Sequence, residues 1–386
     1  MPLFSWVADC EHLQNAWEDI LADAEDDSDD EDRHRGRSLR KFLENAPERL
    51  DTICSQLIDG TYKPADFTQV LIPKTTDGFR TLDIPPVKDR VVERCMLNVV
   101  TPFADPYLSS AAYGFRPGLG VVDAVQRVAE LRDMGLGWVL RTDVDECFPS
   151  ISKGKALAEL MEVLPDDSLT WLLDAFMARR TYTTHGLAEV PGLPQGAALS
   201  PLLCNLVLRH LDDTVLDAGF QIVRYADDFT VLANSENETR KALVMVEQAL
   251  TDLDLRVEPD KTEIMSFDKG FCFLGEDFGP KYPPVLTDHR VEPALTKVLY
   301  VGLQGSRVRV NDGRIIVTTK NNVDVFEVPS SHLERVVLFG SVGLSAGARS
   351  WLLGQGVEAA FITKRNNYSG VMTPASSPLK RSCVIR

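Results

Sequence analysis

Two aspartates, Asp227 and Asp228, stand side by side between two apolar runs, Gln221–Tyr225 and Phe229–Ala233. Runs of this length, rich in Val, Ile, Phe and Tyr, read as strands, and the three residues between them read as a hairpin turn. Folding such a chain gathers two like charges at one tip. That raises the free energy unless a cation offsets it. Magnesium, which prefers hard oxygen ligands and substrate phosphates, is suited to the task. Taken alone, an Asp-Asp turn is more often plain solvated surface. A second acidic cluster, Asp143-Val144-Asp145-Glu146, follows the apolar run Trp138–Thr142. Strand-end carboxylates from two segments, meeting on one sheet, would make a two-metal site with ions about 3.5–4 Å apart. The bland reading of Asp143 is a strand cap.

Composition sets the surroundings of that site. The chain has 386 residues, enough for two or three domains. Lys plus Arg number 41 against 57 Asp plus Glu, a formal charge of −16. Binding nucleic acid by bulk charge alone is therefore excluded, whereas a local basic groove is not. Much of the deficit sits in residues 1–60, which carry sixteen acids and six bases. Glu25–Asp32 holds seven acids in eight residues and reads as a solvated, self-repelling loop. The basic cluster Arg33, Arg35, Arg37, Arg40 and Lys41 either meets a phosphate backbone or neutralises the acids beside it. Seven cysteines form no CxxC pair, so neither a disulfide nor a zinc framework is expected, and a cytoplasmic setting is. The six histidines form no HxH or HExxH group. No signal peptide is expected at the start. The longest uncharged stretch, Val190–Leu208, contains three prolines and is not a membrane span.

Helical periodicity marks Leu13–Leu21, Phe42–Ile58, Asp89–Val100 and Glu238–Asp254. Val70–Pro73 and Arg80–Ile84 read as a hairpin about Thr76-Asp77-Gly78. Ser200 followed by Pro201 reads as a cap and a first-turn proline, with Gly219 as the stop. After the linker Lys281-Tyr282-Pro283-Pro284 come short β runs at 298–300, 307–310, 314–318, 324–328, 336–339 and 358–362, with one helix at 345–353.

In this order the motifs resemble the fingers and palm of a reverse transcriptase of the group II intron and retron branch. Tyr225-Ala226-Asp227-Asp228 is similar to that family's catalytic hairpin, and Asp143 to its first metal-binding aspartate. Pro194-Gln195-Gly196-Ala197-Ala198-Leu199-Ser200-Pro201 and Tyr113-Gly114-Phe115-Arg116-Pro117-Gly118 match two further segments. Glu258-Pro259-Asp260-Lys261-Thr262 and Phe273-Leu274-Gly275 match the later palm motifs. Tyr62-Lys63-Pro64, Ile72-Pro73-Lys74, Gly78-Phe79-Arg80, Ile84-Pro85 and Asp89-Arg90 match the fingers. Chance does not assemble such a set.

The resemblance implies an RNA-directed DNA polymerase using two Mg2+ ions, with Mn2+ able to substitute. Asp143, Asp227 and the Val144 carbonyl would hold metal, with Asp228 a weaker ligand. Lys74 and Arg80 would grip the incoming dNTP, Arg by a bidentate fork and Lys as a point charge. Phe148, five residues after Asp143, would be the gate that excludes a 2′-hydroxyl; its bland reading is core. Gln195 and Gly196 would lie beside the nucleotide or template. Lys261 either gives a proton to the departing pyrophosphate or is structural. Arg116 and Tyr225 would contact nucleic acid, an RNA or DNA template with its primer.

Residues 296–375 carry a second resemblance, through Leu299-Tyr300-Val301, Gln304-Gly305, Val336–Gly340, Leu344-Ser345 and Gly356-Val357. They are similar to the N-terminal β domain of the CRISPR-associated spacer integrase. This implies spacer acquisition from RNA, integrase subunits as partners and a homodimer through the β domain. The integrase's catalytic Glu, His and Asp belong downstream of that domain, so none is assigned before Arg386. The sixteen residues 280–295 are too few for a helical thumb. The expected fold is α+β: a helical segment over 1–60, polymerase fingers and palm over 61–279, a linker over 280–295, a small β-rich domain over 296–378 and a tail over 379–386. Two other functions stay open: a docking scaffold that does not synthesise, and a retron or phage-defence reverse transcriptase, against which the β domain counts.

Overall fold

The computed structural model describes residues 2–26, 33–73, 79–283, 285, 297–311, 313–329, 333–363 and 368–373. The chain forms two compact units, the first reaching Lys269 and the second starting at Gly270.

The first unit opens with helices α1 (Leu3–Val7), α2 (Cys10–Asp26), α3 (Arg33–Leu43) and α4 (Ala46–Ile58). In α2 the stripe Leu13, Ala16, Trp17 and Ile20 recurs at helical spacing and is buried. Leu50, Ile53, Cys54 and Leu57 of α4 join the same core. A disulfide joins Cys10 to Cys54, with Cα atoms 5.6 Å apart across 44 residues of sequence. This overturns the expectation of no disulfide: packing of α2 on α4 brings together two cysteines that spacing does not relate. It also removes the cysteine argument for a reducing compartment.

The rest of the unit follows in order. It comprises β1 (Phe67–Pro73), β2 (Phe79–Ile84), α5 (Val87–Ala104), α6 (Val121–Asp133), β3 (Trp138–Asp143), α7 (Cys147–Ser150), α8 (Lys153–Val163) and α9 (Thr170–Met177). Then come β4 (Thr181–Thr183), β5 (Gly186–Ala188), α10 (Ser200–Asp217), β6 (Gln221–Tyr225), β7 (Asp228–Ala233), α11 (Glu236–Asp252) and β8 (Glu263–Ser266). One sheet has the order β2-β1-β4-β5. Its β1–β2 hairpin runs in register from Thr68↔Ile84 to Pro73↔Phe79, as the alternating runs imply. The loop at 74–78, and with it Lys74, lies outside the described residues.

The other sheet has the antiparallel order β6-β7-β3-β8. Phe229–Ala233 of β7 are all buried, which is why that strand reads as an unbroken apolar run. Helices α10 and α11 pack on this sheet and bury Leu203, Leu206, Val246 and Leu250. Proline stands in the first turn of α10, but Ser200 is not its cap. Leu199 before it already has helical angles (φ −78°, ψ −24°), so the extended geometry of a capping serine is missing, and the buried Ser200 Oγ has no hydrogen-bond partner.

The second unit begins with the hairpin β9 (Phe271–Phe273) and β10 (Glu276–Phe278). It continues with β11 (Lys297–Val301), β12 (Arg307–Asn311), β13 (Arg314–Thr318), β14 (Asp324–Pro329), β15 (Leu333–Phe339), β16 (Gly343–Leu344), α12 (Ala346–Gly354), β17 (Glu358–Ile362) and β18 (Tyr368–Met372). Two four-stranded sheets, β14-β13-β12-β16 and β11-β15-β17-β18, enclose Val308, Ile315, Val336, Leu338 and Ala359 together with Leu352 of α12. Ser345 caps α12, its Oγ accepting from the Ala348 N–H at 3.1 Å. The chain as a whole is α+β.

Candidate active site

The β6–β7 hairpin turns on two residues, Ala226 and Asp227, so Asp228 is already in the strand, opposite Tyr225. A two-residue hairpin needs positive φ in its turn. Ala226 supplies it at +59°. At the last rung of β3 on β7, Asp143 stands directly opposite Asp228. Opposed residues share a face, with Cβ atoms about 4.5–5.5 Å apart. Asp227 is tied to the same place, because the Val144 N–H donates to its carbonyl at 3.1 Å. The Asp143 carbonyl in turn accepts from the Glu258 N–H at 2.9 Å. Backbone pairing therefore brings all three carboxylates to one end of the sheet.

Little offsets their charge. Asp143 is buried, and its Oδ1 has no hydrogen-bond partner. Its Oδ2 accepts from the Lys261 ammonium. Burial pushes the Asp228 carboxyl up to about 7; Arg141 works against this, and Asp143 and Asp227 add to it. Asp227 is also raised, by burial and then by Asp143, while Lys261 and Arg80 oppose. Burial disfavours the Lys261 charge, but the hydrogen bond to Asp143 and the other carboxylates hold its pKa above the ordinary lysine value. Among the described residues, no three His, Cys, Asp or Glu side chains lie close enough to hold an ion as they stand. The donors nonetheless fit a divalent metal: hard oxygens facing one another, one of them buried without a donor.

Residues 72–278 match the family described as reverse transcriptase (RNA-dependent DNA polymerase), more than half of the chain. The chain belongs to the reverse transcriptase family. Residues 299–382 match a second family, CRISPR associated protein Cas1. Among curated relatives, protein YkfC of Escherichia coli is 27% identical over 58% of this chain and 70% of its own length. The group II intron-encoded protein LtrA of Lactococcus lactis is 26% identical over 50% of this chain and 33% of LtrA. The retron Mx65 reverse transcriptase of Myxococcus xanthus is 26% identical over 50% of this chain and 46% of that protein. The chain thus spans less than half of the last two. A solved Cas6-RT-Cas1–Cas2 complex is 21% identical with a TM-score of 0.39, covering 97% of this chain and 40% of that one.

In this reverse transcriptase, Arg80 on β2 is exposed and its charge acts on Asp227. Phe148 on α7 is half-buried and packs against the main core, and its carbonyl accepts from the Leu193 N–H at 2.8 Å. The Gln195 carbonyl accepts from the Asp83 N–H of β2 at 2.7 Å. Gly196 has φ +114°, and a Cβ there would lie 2.8 Å from the Asp83 carbonyl oxygen. The close approach at this glycine is therefore to the protein's own strand β2. Arg116, expected to contact nucleic acid, makes internal hydrogen bonds. Its guanidinium is turned inward onto the Asp105 carboxylate (2.8 and 3.2 Å) and the Ser109 and Ala112 carbonyls (2.9 and 3.2 Å). Tyr225 is half-buried, with its ring 6.4 Å from that of Phe115, which is exposed. Sequence reasoning passed over Phe115, although a bulky residue between Gly114 and Arg116 at φ +58° stands in an unusual conformation. It also passed over Arg141, whose charge acts on Asp228. No described helix is long and apolar enough to cross a membrane.

Proposed function

We propose that this reverse transcriptase adds dNTPs to a primer 3′-hydroxyl on an RNA or DNA template, and that it serves CRISPR spacer acquisition from RNA. The observation that carries the reading is Asp143 facing Asp228 across β3 and β7, with Asp227 beside them and one buried oxygen left without a donor. When bound, two Mg2+ ions, or Mn2+ in their place, would activate the 3′-hydroxyl and steady the departing pyrophosphate oxygen. Asp143, Asp227 and the Val144 carbonyl would hold them, with Asp228 weaker. Arg80 and Lys74 would take the triphosphate. Lys261, kept protonated by its acidic neighbours, would give a proton to pyrophosphate. Phe148 would bar a 2′-hydroxyl, and Gln195 would line the nucleotide site. Tyr225 and Phe115 would offer rings to nucleic acid. The Cas1 match over 299–382 supports integrase subunits as partners.

Primer extension on poly(rA)/oligo(dT) with Mg2+ tests the activity. The full chain should incorporate dTTP, and Asp143→Asn or Asp227→Asn should cut the rate about a thousandfold or more, the loss of several kcal/mol of charge stabilisation. Either variant at the unmodified rate would refute the site.

A further inference from the structure

Arg224 is the penultimate residue of β6, three before Asp227, and it is fully buried. An arginine costs free energy there unless its donors are met. They are met in a fork. Nε and Nη2 donate to Asp212 of α10 at 2.8 and 2.6 Å, and Nη1 donates to Asn205 Oδ1 at 2.7 Å. Nη1 also donates to the Ala226 carbonyl at 2.9 Å, so the guanidinium holds the turn of the hairpin directly. Asn205 is fixed in turn, because its Nδ2 donates to the Gly114 carbonyl at 2.8 Å. Gly114 walls the other side of the turn, where a Cβ would sit 2.6 Å from the Ala226 nitrogen. The backbone of Arg224 is pinned as well, its N–H donating to Ala111 and its carbonyl accepting from Tyr113, both at 2.8 Å.

Ala226 is where this matters. Its φ of +59° is a conformation that alanine adopts rarely and glycine readily. Asp227 is the next residue, so the angle at 226 aims its carboxylate. A buried ion pair is weak evidence for stability, since apolar residues of similar volume often replace one without loss. The placement of this pair directly behind the turn, with a hydrogen bond to Ala226, points to a positional role. We propose that Arg224, clamped by Asp212 and Asn205, is a positioning residue that holds Ala226 in the left-handed conformation and so aims Asp227 at the metal site. The proposal rests on the polymerase reading and deepens it.

The test removes the pair together, as Arg224→Met/Asp212→Leu, so that no buried charge is left alone. A second variant adds Ala226→Gly, which reaches the left-handed conformation unaided. Circular dichroism establishes that each is folded. Mn2+ binding is read by electron paramagnetic resonance, and single dTTP incorporation gives kcat and KM. In the double variant Mn2+ affinity and kcat should each fall about tenfold to a hundredfold, the range seen when a ligand's supporting partner is lost, with KM for dTTP nearly unchanged. Adding Ala226→Gly should restore much of both. Wild-type affinity and kcat in the folded double variant would overturn the proposal, as would a loss that the glycine does not repair. If the double variant does not fold, Arg224→Lys keeps the charge and lacks the fork; weaker Mn2+ binding supports the proposal and wild-type binding overturns it. An unmodified chain without polymerase activity would sink the polymerase reading, while Mn2+ affinity would still judge the positioning role.

Discussion

Behind the β6–β7 hairpin, the Arg224 guanidinium meets Asp212, Asn205 and the Ala226 carbonyl. Burial opposes its charge, and Asp212 beside it more than offsets that. At the tip of the same hairpin, Asp227 and Asp228 face Asp143, and Lys261, Arg80 and Arg141 oppose their charge. Arg179 and Glu93 form another buried pair, 3.0 Å apart, with the guanidinium 4.0 Å and 4.4 Å from the ring centres of Phe67 and Phe176 and its Nη1 without a hydrogen-bond partner. The chain tolerates electrostatic conflict at the hairpin tip. The buried Arg224–Asp212 and Arg179–Glu93 charges are paired within the fold. At the tip, burial and then the crowding of like charges raise the Asp227 and Asp228 carboxyls.

Breaking a scaffold pair should be costly. Glu93→Gln leaves Arg179 buried beside a neutral amide, and urea denaturation should read a loss of about 3–5 kcal/mol. A loss below about 1 kcal/mol would show that the contrast between the two kinds of cluster is false.

Removing charge from the tip should do the reverse. The folded Asp228 carboxyl, near 7, lies above its ordinary value of 3.8. The folded state therefore holds a proton that the unfolded chain has released. Stability contributed by this group declines as pH rises from about 4 to about 7 and stays low beyond that. In metal-free protein at pH 8, Asp228→Asn should gain about 2 kcal/mol, below the ceiling of roughly 4 that a three-unit shift sets. At pH 4 the gain should vanish. Denaturation curves at the two pH values check this; equal effects at both would mean that the carboxylate is not under strain in the fold.

Much of the palm was legible because its strands are short apolar runs bounded by acids and turns. Trp138–Thr142, Gln221–Tyr225 and Phe229–Ala233 read as β3, β6 and β7 almost to the residue. Asp143 and the Asp227–Asp228 pair could be placed at strand ends for the same reason. Long-range partners were not legible. Arg116 looks like an exposed base until Asp105, eleven residues back in a short turn, is brought against it. Arg224 looks like the rim of a strand, and only the packing of α10 shows that Asp212 makes it interior. The Cys10–Cys54 bond depends on the α2–α4 crossing in the same way. Ser200 fits a capping pattern, but the chain already turns at Leu199, so the hydroxyl is buried without its expected partner.

Asp143 and Asp227 are proposed to belong to one metal site. Calorimetric titration of Mn2+ into the unmodified chain, Asp143→Asn and Asp227→Asn tests it most directly. Binding should be saturable and should weaken at least tenfold in each variant. Equal affinity in all three proteins would contradict it.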